Sequence, residues 1–245
     1  MKKSNILLLS ALILVLAGIT FSAVYISNLM SEELKKGDGN IENEVRHVTP
    51  FSKLNVKGNL TVYYLQDTVR AFVVEADSNL LEHISTKVQD GVMNISHSRS
   101  IRARNLKVHI SQEYLDEVRL NGGGRFITEK PVKLNDVFLW ANGGARFEIE
   151  GIFQVLNMQL NAGSMAELSG QCEEFSVTAN AGSTLRAKDF VAQDIDAKAT
   201  AGSNLEIHAV NILNAKGSAG SNIYYHGDPE LKNIQTSSGA NLRKR

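Results

Sequence analysis

Glu148 and Glu167 stand 19 residues apart, each at the same place in a repeated motif. If the chain stacks with that period, they fall on adjacent turns about 4.8 Å apart. Carboxylates so placed could share general acid and base work on a polysaccharide, or hold calcium. Their column reads Ile127, Glu148, Glu167, Arg186, Glu206, Tyr224 and Arg243. With Arg146 and Arg186 beside the pair, the competing reading is a solvated, charge-balanced face. Ser164, Ser183, Ser203 and Ser221 also recur, but no histidine recurs beside them, so they mark a structural place rather than a nucleophile. The six histidines (His47, His83, His97, His109, His208 and His226) lack paired metal spacing; His97 and His109, on facing strand candidates, come nearest to it. Gly122, Gly123 and Gly124 form no phosphate loop, since neither a helix start nor Lys-Ser/Thr follows, and the Asp of the calcium nonapeptide is missing. The expectation is no catalytic residue, no metal and no cofactor.

Binding is better served. Strand alternation through Val137–Ala141 turns Leu139 and Ala141 inward and Phe138 and Trp140 outward. Arg119 and Gln159 would flank Trp140 on adjacent turns, with Arg125 and Arg146 stacked nearby. Exposed Trp beside Arg suits contact with a protein or a carbohydrate surface, and a homo-oligomer could form through the same face. Tyr224 is a weaker instance at the far end, with Tyr225 pointing inward.

These side chains need a scaffold that places residues about twenty apart directly above one another. The motif supplies it. Gly123, Gly144, Gly163, Gly182, Gly202, Gly220 and Gly239 recur at intervals of 18–21 residues. Each is preceded, two places earlier, by Asn121, Asn142, Asn161, Asn180, Thr200, Ser218 or Ser237. Apolar residues alternate on both sides: Val118, Leu139, Met158, Val177, Ala197, Ala215 and Ile234 before the turn, and Phe126, Phe147, Ala166, Leu185, Leu205, Ile223 and Leu242 after it. Period two on either side of a glycine turn, repeated about every 20 residues, is a parallel β-solenoid, right-handed by the crossover rule. Asn121 to Asn180, and then Asn204, Asn222 and Asn241, form columns whose amides can stack along the axis.

Composition bounds the rest. The 245 residues carry 26 Lys+Arg against 26 Asp+Glu, which gives no electrostatic case for nucleic acid. A lone Cys172 excludes an intrachain disulfide and reads as a buried small thiol. Lys2 and Lys3 precede an uncharged run over residues 4–31, whose Ile6 to Ile26 part is long enough to span a bilayer. This reads as a transmembrane anchor, or as a cleaved signal peptide; in both cases the body is exported to the cell envelope, in the periplasm or at the surface. The chain then divides into the anchor or signal peptide (1–31), a polar linker (32–49), a first β section (50–115) and the solenoid repeats (116–245). The basic end, Arg243 to Arg245, would discourage end-to-end stacking of the last turn.

Strands are expected at Leu54–Tyr64, Ala71–Ala76, Ile84–Val88, Val92–His97 and Leu106–Ser111, with a brief helical or extended link over Leu80 to Ile84. The segments 51–58, 73–81 and 88–95, followed by the Gly-Ser repeats, resemble the head GIN domain family of putative autotransporter adhesins, typical of Bacteroidetes-type bacteria. The likeness covers roughly residues 48–245. It implies a pectin-lyase-like right-handed β-helix, an adhesion role and no known catalytic residues. The reading is therefore a non-catalytic cell-envelope adhesin. Its alternatives are a carbohydrate-active β-helix enzyme, with Glu148 and Glu167 as its acidic pair, and an envelope scaffold or sensor.

Overall fold

Each repeat turns on two consecutive residues of positive φ. In Asn161-Ala162-Gly163-Ser164 the central pair has φ of 51° and 71°, the signs of a type I′ turn. The Ser164 N–H and hydroxyl both donate to the Asn161 carbonyl, at 3.3 and 2.6 Å. The same corner recurs at Ala181-Gly182, Ala201-Gly202, Ala219-Gly220 and Ser238-Gly239, with glycines in both places at Gly122-Gly123 and Gly143-Gly144. Five of the turn glycines also donate their N–H to the next level: Gly144 to Ala162, Gly163 to Ala181, Gly182 to Ala201, Gly202 to Ala219 and Gly220 to Ser238, all within 2.9–3.1 Å. The glycines thus line up along one edge, as their spacing requires.

The computed structural model describes residues 15–22, 25, 35–98, 101–102 and 106–245. Its body is a β-solenoid of about seven turns. The strands Val132–Asn142, Arg146–Leu160, Met165–Ala179, Thr184–Ala199 and Asn204–Gly217 stack in parallel. Before the corner, Leu139, Met158, Val177, Ala197, Ala215 and Ile234 lie in register; after it, Phe147, Ala166, Leu185, Leu205, Ile223 and Leu242 do. The pre-corner and post-corner strands are two walls, and these columns are buried between them except at the last turn. A second corner lies at Gly151 and Gly170, which face one another in register. A β-carbon on Gly170 would come within 2.0 Å of the Gly151 carbonyl oxygen, so glycine is obligatory there.

The first β section joins the same sheet, but out of chain order. Lys53–Lys57 lies between Glu117–Asn121 and Val92–His97, parallel to both; Thr61–Gln66 lies likewise between Arg125–Thr128 and Lys107–Gln112. The level built first is therefore sandwiched between two built later. This end is closed by antiparallel strands: Ile84–Gln89 on Val92–His97, Ala71–Asp77 on Lys107–Gln112, and Ile41–Val45 on Ala71–Asp77. A 3-10 helix, Ser78–His83, fills the expected short link.

The polar linker expected over 32–49 is in part strand: Ile41–Val45 is a sheet strand and Lys35–Lys36 pairs with Ile101–Arg102. All five residues of Ile41–Val45 are exposed, so backbone bonds hold the strand and no buried side-chain pattern betrays it. At the N-terminus, residues 15–22 and 25 are helical, with Leu16, Ile19, Phe21 and Tyr25 exposed. Among the described residues no helix is long and apolar enough to cross a membrane, and the remainder of the span expected over Ile6 to Ile26 lies outside them.

Candidate functional site

On the pre-corner wall, Phe138 and Trp140 alternate with buried Val137, Leu139 and Ala141 and face outward, half-buried. Arg119 and Gln159 flank Trp140 in register; Glu117 and Asn157 flank Phe138. The Arg119 guanidinium lies 5.4 Å from the Phe138 ring centre and is held by a close ion pair with Glu117. The result is a rigid patch of two aromatic rings and one oriented cation.

Arg125 and Arg146 do not join that patch. They stack on each other in register beyond the corner, on the opposite wall, where carboxylates claim them. Arg125 pairs with Glu148 at 3.1 Å; Arg146 bridges Glu148 (3.4 Å) and Glu167 (3.0 Å); Arg186 closes on Glu167 at 2.7 Å. Glu148 and Glu167 do sit on adjacent levels. Burial pushes the Glu167 carboxyl up, but the Arg186 hydrogen bond and the charge of Arg146 outweigh it and hold the group below the usual carboxylate range. A general acid must keep its proton near neutral pH, and Glu167 does the reverse. The arrangement is a charge ladder.

The family described as "Putative auto-transporter adhesin, head GIN domain" matches residues 50–229. The chain belongs to this family. Its fold is also that of several solved structures. A putative adhesin from Bacteroides fragilis superposes with a TM-score of 0.77 at 16% identity, covering 86% of this chain and 100% of that one. A protein from Parabacteroides distasonis named a putative lipid binding protein gives 0.70 at 22% identity, over 85% and 98%. A putative adhesin from Parabacteroides merdae gives 0.68 at 19% identity, over 86% and 98%. No curated protein matches.

Within this head GIN domain the other candidates are structural. Ser164, Ser183 and Ser203 are buried and donate to the carbonyls of Asn161, Asn180 and Thr200; Ser221 donates to Ala199. Amide stacking joins Asn142 to Asn121, Asn180 to Asn161, and Asn241 to Asn222 to Asn204. Burial raises the Cys172 thiol to about 11, so it is not poised as a nucleophile. His97 and His109 are not brought together: His97 pairs across from Ile84, while His109 stacks on Tyr63 at 5.1 Å between Glu75 and Glu129. No metal-holding cluster occurs among the described residues. Sequence reasoning missed the far end of the ladder, where Glu206 binds His226 at 3.0 Å and Arg245 at 3.3 Å, with Arg245 over the Tyr224 ring at 3.8 Å. Extending the Glu148 column by two strand places would have pointed to His226.

Proposed function

We propose that the chain is a non-catalytic adhesin of the cell envelope, a rigid solenoid that meets a partner surface through Arg119, Phe138 and Trp140. The observation that carries this reading is the outward pair of rings with a guanidinium fixed above one of them. Aromatic and arginine anchors dominate binding energy at such surfaces, and a preset cation avoids the entropy cost of ordering it on contact. Family membership supports the adhesion role. The interior void lined by Tyr64, Phe126 and Phe153 amounts to only about 10 Å³, which favours contact by the outer walls over enclosure of an apolar ligand. The uncharged run over residues 4–31, with apolar side chains exposed on the helical residues 15–22, supports a membrane anchor.

The test is retention of bacterial cells, matrix proteins and glycoproteins on the immobilised protein. Phe138→Ala/Trp140→Ala should reduce retention at least about thirtyfold, the loss of one strong anchor, while thermal unfolding stays near that of the parent. Equal retention by the parent and the double variant would remove this face from the function.

A further inference from the structure

Along the opposite wall runs an open groove of about 530 Å³, floored by Glu148, Glu167, Arg186 and Glu206, with Ile127 and Leu168 beside them. The carboxylates in it are half used. Glu167 accepts from Arg146 and Arg186 through Oε1 only, and Glu206 accepts from His226 and Arg245 through Oε1 only. Glu148 meets Arg125 and Arg146 through Oε1 as well. The second oxygen of each has no hydrogen-bond partner among the described residues, and the three side chains are 32%, 39% and 23% exposed. The arginines therefore fix the carboxylates in place and leave one acceptor on each free.

The spacing and charge of this row select a ligand. Glu148, Glu167, Arg186 and Glu206 occupy successive levels, so the free acceptors span about 14 Å at the strand spacing. Five carboxylates line the groove, Glu148, Glu150, Glu167, Asp189 and Glu206, with Arg186 and Lys188 among them. Arg125, Arg146 and Arg245 are ion-paired to these carboxylates and complete the balance, so the groove attracts neither a polyanion nor a polycation by its field. Fixed acceptors beside the half-buried, apolar Ile127 fit a chain that alternates hydroxyl donors with C–H faces. Tyr63 and Tyr224 stand in the same column at its two ends.

We propose that this groove binds an extended neutral glycan lying along the solenoid axis, its hydroxyls donating to the second oxygens of Glu148, Glu167 and Glu206. The proposal deepens the adhesion reading by giving it a ligand class. It uses the wall away from Phe138 and Trp140, so each can fail without the other.

Calorimetric titration of the full chain with hexasaccharides of β-linked glucose, β-linked N-acetylglucosamine and mannose tests it, with a uronate hexasaccharide and spermine as charged comparisons. At least one neutral hexasaccharide should bind with Kd on the order of 0.1–1 mM. Ser169→Trp, which plugs the groove from an outward position, and Glu167→Gln should each weaken binding at least about tenfold. Phe138→Ala/Trp140→Ala should leave it unchanged. Binding confined to uronate or spermine, no neutral binding at millimolar concentration, or binding that Ser169→Trp does not move, would each overturn the proposal. Ser169→Trp keeps it testable if Glu167→Gln loosens the ladder.

Discussion

Ala162, Ala181, Ala201 and Ala219 hold φ near +50°, where a β-carbon crowds its own carbonyl at about 1–2 kcal/mol. The motif spelled out the glycine beside them but not this second strained place, because alanine carries no signature of positive φ. Ala181→Gly is expected to stabilise the fold by up to about 1 kcal/mol after the added freedom of the unfolded chain is subtracted, seen as a higher urea midpoint. The two kinds of glycine should also separate. A β-carbon on Gly182 meets nothing within 4 Å, so Gly182→Ala costs only the backbone strain of about 1–2 kcal/mol. Gly170→Ala drives a methyl into the Gly151 carbonyl and should cost at least about 3 kcal/mol. The charge ladder sets the acid response. Glu75 is depressed chiefly by the Lys107 hydrogen bond, Glu167 by the arginines that overcome its burial, and Glu206 chiefly by His226. A folded pKa below the ordinary 4.5 gives stability that is present above that value and lost as pH falls through the depressed one. The urea midpoint should therefore hold near pH 6 and drop below about pH 4.5, with a shallower drop in Glu206→Gln; an unchanged slope in that variant would show that Glu206 adds nothing.

At the scale of strands, the repeats after residue 116 could be read almost level by level, since one glycine register fixes every column. The first β section could not. Its strands were placed, but their order along the axis depends on Lys53–Lys57 being sandwiched by two later strands, a long-range choice that no local pattern records. The aromatic patch was legible for Phe138, Trp140 and Arg119, because strand parity fixes which way they point. Arg125 and Arg146 were misplaced because near neighbours across a tight corner belong to different walls. The hairpin of Ile84–Gln89 and Val92–His97 was legible, but the outer strand Ile41–Val45 was hidden for a further reason: a key contact beside it comes from one residue in a polar stretch. Arg46 donates to the carbonyls of Ile84 (2.6 Å) and Leu81 (2.9 Å) and to Thr86 Oγ1 (2.9 Å), while paired with Glu44 at 2.6 Å. Removing it strands several acceptors at once. Arg46→Ala should cost about 2–3 kcal/mol, with faster amide exchange confined to Ile41–Val45 and Ile84–Gln89. Arg46→Lys should recover little, as an ammonium cannot serve partners that the planar fork reaches together.

For the whole molecule, the two ends of the stack decide whether it stays a single column. At one end the parallel ladder gives way to antiparallel strands. At the other, Leu231–Thr236 and Asn241–Lys244 are bonded to a neighbour on one side only among the described residues. Ile234 is 41% exposed there, although the column beneath it is buried. Such an edge is a template for association unless a charge stands in it. Two do. Lys232 takes the core-column place above Leu213, and Lys244 that above Tyr225. Both reach Asp228, at 3.2 and 3.1 Å, so one carboxylate draws two ammonium groups across the open core. Of the basic end expected to repel neighbours, Lys244 takes an inward place, whereas Arg245 folds back along the wall to Glu206. Replacing the lysines should convert the cap into a sticky face. Lys232→Ile/Lys244→Ile is expected to self-associate with rising concentration in sedimentation, while Lys232→Arg/Lys244→Arg stays as the parent does. Because the isoleucines change this end alone, association should stop at an end-to-end dimer related by a two-fold axis and not run on into fibres. A double isoleucine variant that sediments like the parent over the same range would show that the lysines do not guard the edge.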